Sequence, residues 1–240
     1  MWVDEGERSV TTCWDNADDV IQMFYMHIHD LFGQPLTTLA YISGDNAHVD
    51  LLDAIFNNQR NIENGSIGGF FALPENDVTC VMEYFQNARN LNLCFTLFGY
   101  DLSKYKFHHI FIDDGEELSY QKLMELDYVA LDLYQRRDSD NSLQNEQLNS
   151  LLRLWLTGFL PRMKNFRLET TTPLMLTNIL EKIDFELSER QLEADGDTIK
   201  TEGPFHIRRL TDGKIAMVYT MDFWNYDEQW MTVFEFSVYE

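Results

Sequence analysis

Apolar residues return along this chain in two rhythms. In LLRLWLTGFLPRMKNFRLE (residues 151–169), Leu151, Leu152, Trp155 and Phe159 fall on one face of a helix. Gly158 and Pro161 stop that helix, and Met163, Phe166 and Leu168 continue as the inward residues of a short strand. The strand part has the form Φ-x-x-Φ-x-Φ, where Φ is apolar. It recurs upstream as Leu36/Leu39/Tyr41, Ile62/Gly65/Ile67, Ala88/Leu91/Leu93, Phe107/Ile110/Ile112 and Leu126/Val129/Leu131. First positions stand 26, 26, 19, 19 and 37 residues apart. Repeats of roughly 20–29 residues with L-x-x-L-x-L at the strand mark leucine-rich arrays. Polar QRRDSDNSLQNEQ swells the one long step.

Helical stripes fill the intervals. ADDVIQMFYMHIHDLF aligns Val20, Phe24, Ile28 and Leu31, and HVDLLDAIFNNQ, ENDVTCVMEYFQ, ELSYQKLMEL and NEQLNSLLRLWL carry similar faces. Beyond residue 170 the rhythm changes. PLMLTNILEKI reads as one more helix, then PFHIRRLTDGKIAMVYT reads as a hairpin turning at Asp212 and Gly213 in a two-residue type I′ turn. WMTVFEFSVYE reads as a last strand. The pattern therefore predicts an α/β fold: a leucine-rich-repeat-like horseshoe of alternating helices and short strands, closed by a C-terminal β-rich cap. Its divisions are an acidic tail over 1–14, the array over 15–170 and the cap over 171–240.

Charge narrows the partners. The 240 residues hold 40 acidic and 18 basic side chains, a formal net charge of −22. Nucleic-acid affinity comes mainly from Lys and Arg displacing counterions, so nucleic acid and anionic membrane surfaces are excluded as expected partners. No apolar run approaches the ~18 residues of a membrane span. The opening MWVDEGERSV is acidic, unlike a secretory or mitochondrial leader. Cys13, Cys80 and Cys94 are odd in number and lack paired spacing, which suits a reducing compartment and neither a disulfide framework nor a zinc site. A cytoplasmic or nuclear location is expected.

Catalytic signatures are missing: the chain has no G-x-S-x-G, P-loop, G-x-G-x-x-G or H-E-x-x-H. His27 and His29 stand two apart on a helix and His108 and His109 are adjacent in a strand, so neither pair has the i, i+4 spacing of metal ligands. DSDNS (residues 138–142) opens like a calcium loop, but Leu143 and Asn149 occupy the positions that need Gly and Glu. DDGEE (residues 113–117) places acids at the start of a helix, where they are favoured. No catalytic residue, metal or cofactor is expected, and an enzyme on a repeat scaffold is the outlying alternative.

Trp155, Gly158, Pro161, Met163, Phe166 and Leu168 resemble the W-x-x-G-x-x-P-x-L-x-x-L-x-I segment of the nematode F-box-associated domain, type 2. PFHIRRLTDGKIAMVYT and FEFSVYE are similar to that family's terminal hairpin and last aromatic strand. VIQMFYMHIHDLFGQPLTTLAYI and LLDAIFNNQRNIENGSIGG resemble the repeat-like region that precedes it. The resemblance implies a substrate-recognition region of an F-box protein, which serves a Skp–cullin–F-box ubiquitin ligase. The residues ahead of Trp14 are too few for an F-box, and LPENDVTCVMEYFQNARNL (residues 73–91) reads as a helix in register with the array. Binding to a Skp-type adaptor is thus expected only where an F-box precedes Met1. The alternative is a free-standing interaction or decoy protein.

In a horseshoe, the residue between the last two apolar positions of each unit faces the partner. That row is Ala40, Ser66, Asn92, Phe111, Ala130 and Arg167, with Asp113, Asp132 and Glu169 on the next row outward. Phe111 is the apolar anchor of the expected protein-binding surface, which comprises Phe111, Asp113, Asp132, Arg167 and Glu169. The carboxylates favour a basic protein partner.

Overall fold

Six short strands run parallel and in chain order: β3 (Thr38–Ser43), β4 (Asn64–Gly69), β5 (Asn90–Cys94), β6 (Lys106–Ile112), β7 (Asp127–Gln135) and β8 (Asn165–Thr170). The structure is a computed structural model and describes residues 2–4, 9–11, 23, 26–27, 37–43, 52, 55–56, 62–69, 75–94, 101–113, 118–135, 142–188, 198–224 and 229–239. The helix expected from ADDVIQMFYMHIHDLF lies largely outside them, as do Cys13, His29, Leu36 and most of DDGEE and DSDNS. Within residues 1–14, β1 (Trp2–Asp4) and β2 (Ser9–Thr11) pair antiparallel, apart from the main sheet.

The far edge of β8 takes an antiparallel neighbour, β12 (Trp230–Tyr239), followed by β11 (Ile215–Trp224), β10 (Thr198–Arg208) and β9 (Glu186–Leu187). Ten strands of the described residues thus form one sheet, and the chain is α/β with strand dominant. Parallel neighbours require a crossover. Helices α1 (Glu75–Phe85), α2 (Tyr120–Glu125) and α3 (Asn145–Leu156) supply three of them, and α4 (Leu176–Ile179) follows β8.

The apolar spacing sets the register. Leu91, Ile110, Leu131, Phe166, Phe236 and Val218 occupy matching positions on adjacent strands, as do Ile67, Leu93, Ile112, Leu133, Leu168 and Phe234. Both rows are buried in one core with Met82, Phe85, Leu123, Leu148, Leu152 and Trp155 from the helices. Each such side chain contributes about 1.5–3 kcal/mol through burial. The 26-residue step also aligns polar groups. Asn90 donates to Asn64 (Nδ2 to Oδ1, 2.7 Å), which donates in turn to Thr38 (Nδ2 to Oγ1, 3.4 Å). Gly65 fills an apolar position because α1 lies so close that a Cβ there would overlap the ring of Phe85.

Four expectations need correction. The fifth unit is Tyr128/Leu131/Leu133, two residues later than Leu126/Val129/Leu131, because Ile110 pairs with Leu131 and Ile112 with Leu133. Leu133 is fully buried while Val129 is only half-buried, so packing selects the later frame. Phe159 lies outside the helix and is exposed. The α3 helix ends at Leu156 in a Schellman motif, with Phe159 N–H donating to Leu154 O, Gly158 N–H donating to Trp155 O, and Gly158 at φ +83°. PLMLTNILEKI forms only the four-residue α4, and Lys182 then turns at φ +57°. The hairpin loop is longer than two residues. Arg209 N–H donates to Lys214 O and Gly213 N–H to Arg209 O, with Gly213, not Asp212, at positive φ (+73°).

Candidate functional site

All four described helices contribute to the one core, so the opposite face of β6, β7 and β8 is left to other contacts. There the strand pairing sets Ser66, Asn92, Phe111, Asp132, Arg167 and Glu235 side by side on six neighbouring strands. Successive side chains of a strand alternate in facing, which makes these the counterparts of the buried rows. Phe111 is 37% exposed, the largest apolar group of this row.

Register corrects the expected rows. Ala130 pairs with His109 and Asn165, so it belongs one row earlier. Asp132 moves into the row of Phe111 and Arg167, and Tyr134 takes its former place beside Glu169. Phe111, Asp132, Arg167 and Glu169 together line a shallow depression of about 100 Å³, with Leu133 and Tyr134. Asp113 is exposed just past the end of β6, where its N–H donates to Leu93 O (3.1 Å), and does not line that depression. Ala40 and Ser66 lie farther along the row, on β3 and β4.

The charges are locally paired. Arg167 Nη2 donates to Glu169 Oε1 at 2.5 Å, two residues along the same strand. His109 Nε2 donates to Asp132 Oδ2 at 2.9 Å, since a carboxylate can only accept. Arg167 has Asp132 and Glu235 as its lateral neighbours on β7 and β12. Both side chains of the Arg167–Glu169 pair remain partly accessible, so the pair positions groups more than it stabilises the fold. The result is an aromatic group, carboxylates in excess and one fixed guanidinium around a shallow depression of the sheet face. Such a surface can bind by hydrogen bonding, charge and ring contact.

Sequence reasoning missed three members. Tyr134 joins the face only in the frame two residues later, beside Glu169. Glu235 depends on β12 joining β8, a long-range pairing with no local signal. His109 shows its relation to Asp132 only once the frame is right. Farther along the same face, Met217, Tyr219, Met231 and Val233 are buried, so the open part of the surface is centred on β6–β8. A cleft of about 490 Å³ lies at the β9–β10 edge, lined by Phe185, His206, Arg208 and Leu210 among others. Another of about 300 Å³ lies under Phe159 and Pro161. Among the described residues no group of three or more His, Cys, Asp or Glu side chains is arranged to hold a metal ion, and no helix is long and apolar enough to cross a membrane. No family model and no curated protein matches this chain.

Proposed function

We propose that this chain is a non-catalytic protein-binding module that holds its partner on the outer face of β6–β8, its parallel strands being turns of a leucine-rich-repeat-like horseshoe. The observation that carries the reading is Phe111: a large aromatic side chain exposed on a sheet face, amid Asp132, Arg167 and Glu169. Interfaces draw most of their energy from a few such anchors, with surrounding polar groups supplying specificity. The strictly sequential parallel order and the repeated apolar rows support the horseshoe. By the resemblance around Trp155, Gly158 and Pro161, the module is the substrate-recognition part of an F-box protein of a Skp–cullin–F-box ligase.

Two purifications of the protein from cells that express it test this, one of wild type and one of a Phe111→Ala, Asp132→Lys variant. The reading expects at least one protein to accompany the wild type and be lost from the variant, and a Skp-type adaptor and cullin to accompany both where an F-box precedes Met1. A partner set unchanged by the two substitutions would reject the face. Loss of a partner without any adaptor in either sample would leave a binding module that works outside the ligase.

A further inference from the structure

We infer that the depression between β6 and β8 seats an arginine side chain of an extended partner segment, its guanidinium against Phe111 and Tyr134 and its N–H groups shared between Asp132 and Glu169. The inference rests on the protein-binding reading and names the chemistry of what is bound.

Charge is the first argument. Asp132 and Glu169 line the depression, and Glu235 and Asp113 stand one register step or a strand end away. Among the described residues that line the depression, Arg167 is the one cation, and it is already committed to Glu169. A carboxylate accepts about four hydrogen bonds. Among the described residues, one donor reaches the Asp132 carboxylate, His109. Acceptors therefore exceed donors, and a bound cation completes them. The net charge of −22 also draws cationic segments toward the surface.

Shape and ring chemistry distinguish arginine from lysine. A guanidinium is planar, carries five N–H donors in a fixed fork and stacks on aromatic faces, whereas an ammonium is a compact, strongly hydrated point charge. Phe111 and Tyr134 offer ring surface in the same depression as the two carboxylates. The chain itself uses this constellation elsewhere: the Arg209 guanidinium lies 5.1 Å from the Trp155 ring centroid while both its Nε and Nη2 donate to Asp212. Small or short neighbours, Ser66, Asn92 and Ala130, let a partner backbone pass close to the strands.

The probe is a short peptide with one arginine between glycine, serine and alanine residues, titrated into the intact isotope-labelled chain and followed by amide NMR. Matched peptides carry lysine, citrulline or glutamate instead. Saturable shifts at Phe111, Asp132, Tyr134, Arg167 and Glu169 are expected with arginine. Citrulline, and either Phe111→Ala or Asp132→Asn, should weaken binding roughly tenfold or more; lysine should bind several-fold more weakly. Glu181→Gln, a change to an exposed acid elsewhere, should alter nothing, and all variants are checked for native spectra. Equal binding of lysine and arginine peptides, or shifts spread over the acidic surface, would overturn the seat, as would no shift at millimolar peptide. If these arginine tests fail while the cellular partner is still lost on Phe111→Ala, Asp132→Lys, the binding face stands and only the arginine seat falls. If that partner loss fails as well, both fall.

Discussion

The guanidinium of Arg209 lies over the ring of Trp155, 5.1 Å from its centroid, and so ties the β10–β11 turn to α3. Arg209 is only 4% exposed, and a buried cation must be paired. Asp212 provides the pairing three residues later, accepting at 2.8 Å from Nε and 2.5 Å from Nη2. Trp155 packs on its other contacts edge-on against Phe236 of β12. One arginine thereby couples a helix, a turn and the strand that joins the two parts of the sheet. Arg209→Met is expected to cost on the order of 1–3 kcal/mol from lost ring and hydrogen-bond contacts. Thermal melting should fall by roughly 2–4 °C per kcal/mol for a chain of this size. Arg209→Lys should recover less than half of that, because an ammonium can neither fork nor stack.

The same pair predicts an acid dependence. The hydrogen bonds from Arg209, helped by the Lys214 backbone N–H, hold the carboxyl of Asp212 down at about 2. An unperturbed Asp titrates near ~3.9. Folding therefore favours the ionised form: its contribution is complete above about pH 4 and is lost as the pH falls toward about 2. In carbon-detected NMR, the Asp212 carboxyl should titrate near about 2 in wild type and move back toward ~3.9 in Arg209→Met. Asp212→Asn should be less stable than wild type at neutral pH, and the difference should shrink in acid. A gap that widens in acid would contradict the pairing.

Gly65 is expected to resist enlargement. It holds an apolar position of the second unit, yet a Cβ there would overlap Cδ1 of Phe85 and crowd Leu91. Its backbone conformation is ordinary, so the obstacle is space alone. Gly65→Ala should destabilise by about 1–3 kcal/mol through overpacking. Phe85→Leu opens that space, and the double variant should be more stable than the sum of the two single losses predicts. Coupling between touching residues commonly reaches ~0.5–3 kcal/mol. Simple additivity in a denaturant-melting cycle would show that α1 does not rest on Gly65.

Much of this fold was legible because its period is local. The rows through Leu91, Ile110 and Phe166, the end of α3 near Gly158 and the turn holding Gly213 all follow from spacing and from residues with restricted backbones. Two kinds of information were not. LMELDYVALDLY satisfies Φ-x-x-Φ-x-Φ at three offsets, starting at Leu123, Leu126 and Tyr128, and only packing of Leu133 against the core chooses among them. The pairing of β12 with β8 joins residues some seventy positions apart, such as Phe236 and Phe166, and leaves no trace in either local pattern. Both losses fall on the candidate face. Local spacing places Asp132 in the neighbouring row and gives no sign of Tyr134 or Glu235. Phe159 failed differently: it continues the helical stripe of Trp155, but the chain has already left the helix.

Phe166 and its neighbour Arg167 give the sharpest contrast between fold and surface. Phe166 is fully buried, and its ring centroid lies 6.1 Å from that of Phe234 across the β8–β12 pair. Phe166→Ala removes that burial and leaves a cavity, for about 3–5 kcal/mol in all. This is a large part of a typical ~5–15 kcal/mol total stability, so the variant should melt far below wild type. Arg167 points the other way and is exposed; its pair with Glu169 is accessible to water and worth roughly 0–1 kcal/mol. Arg167→Ala should therefore melt close to wild type. Its consequence belongs to binding: with Arg167 gone, Glu169 loses its donor and the face becomes more acidic. If the outer face holds the partner, Arg167→Ala changes affinity with stability unchanged, whereas Phe166→Ala lowers both. Comparable melting temperatures for the two variants would mean that β8 is turned over and that the wrong face has been assigned to binding.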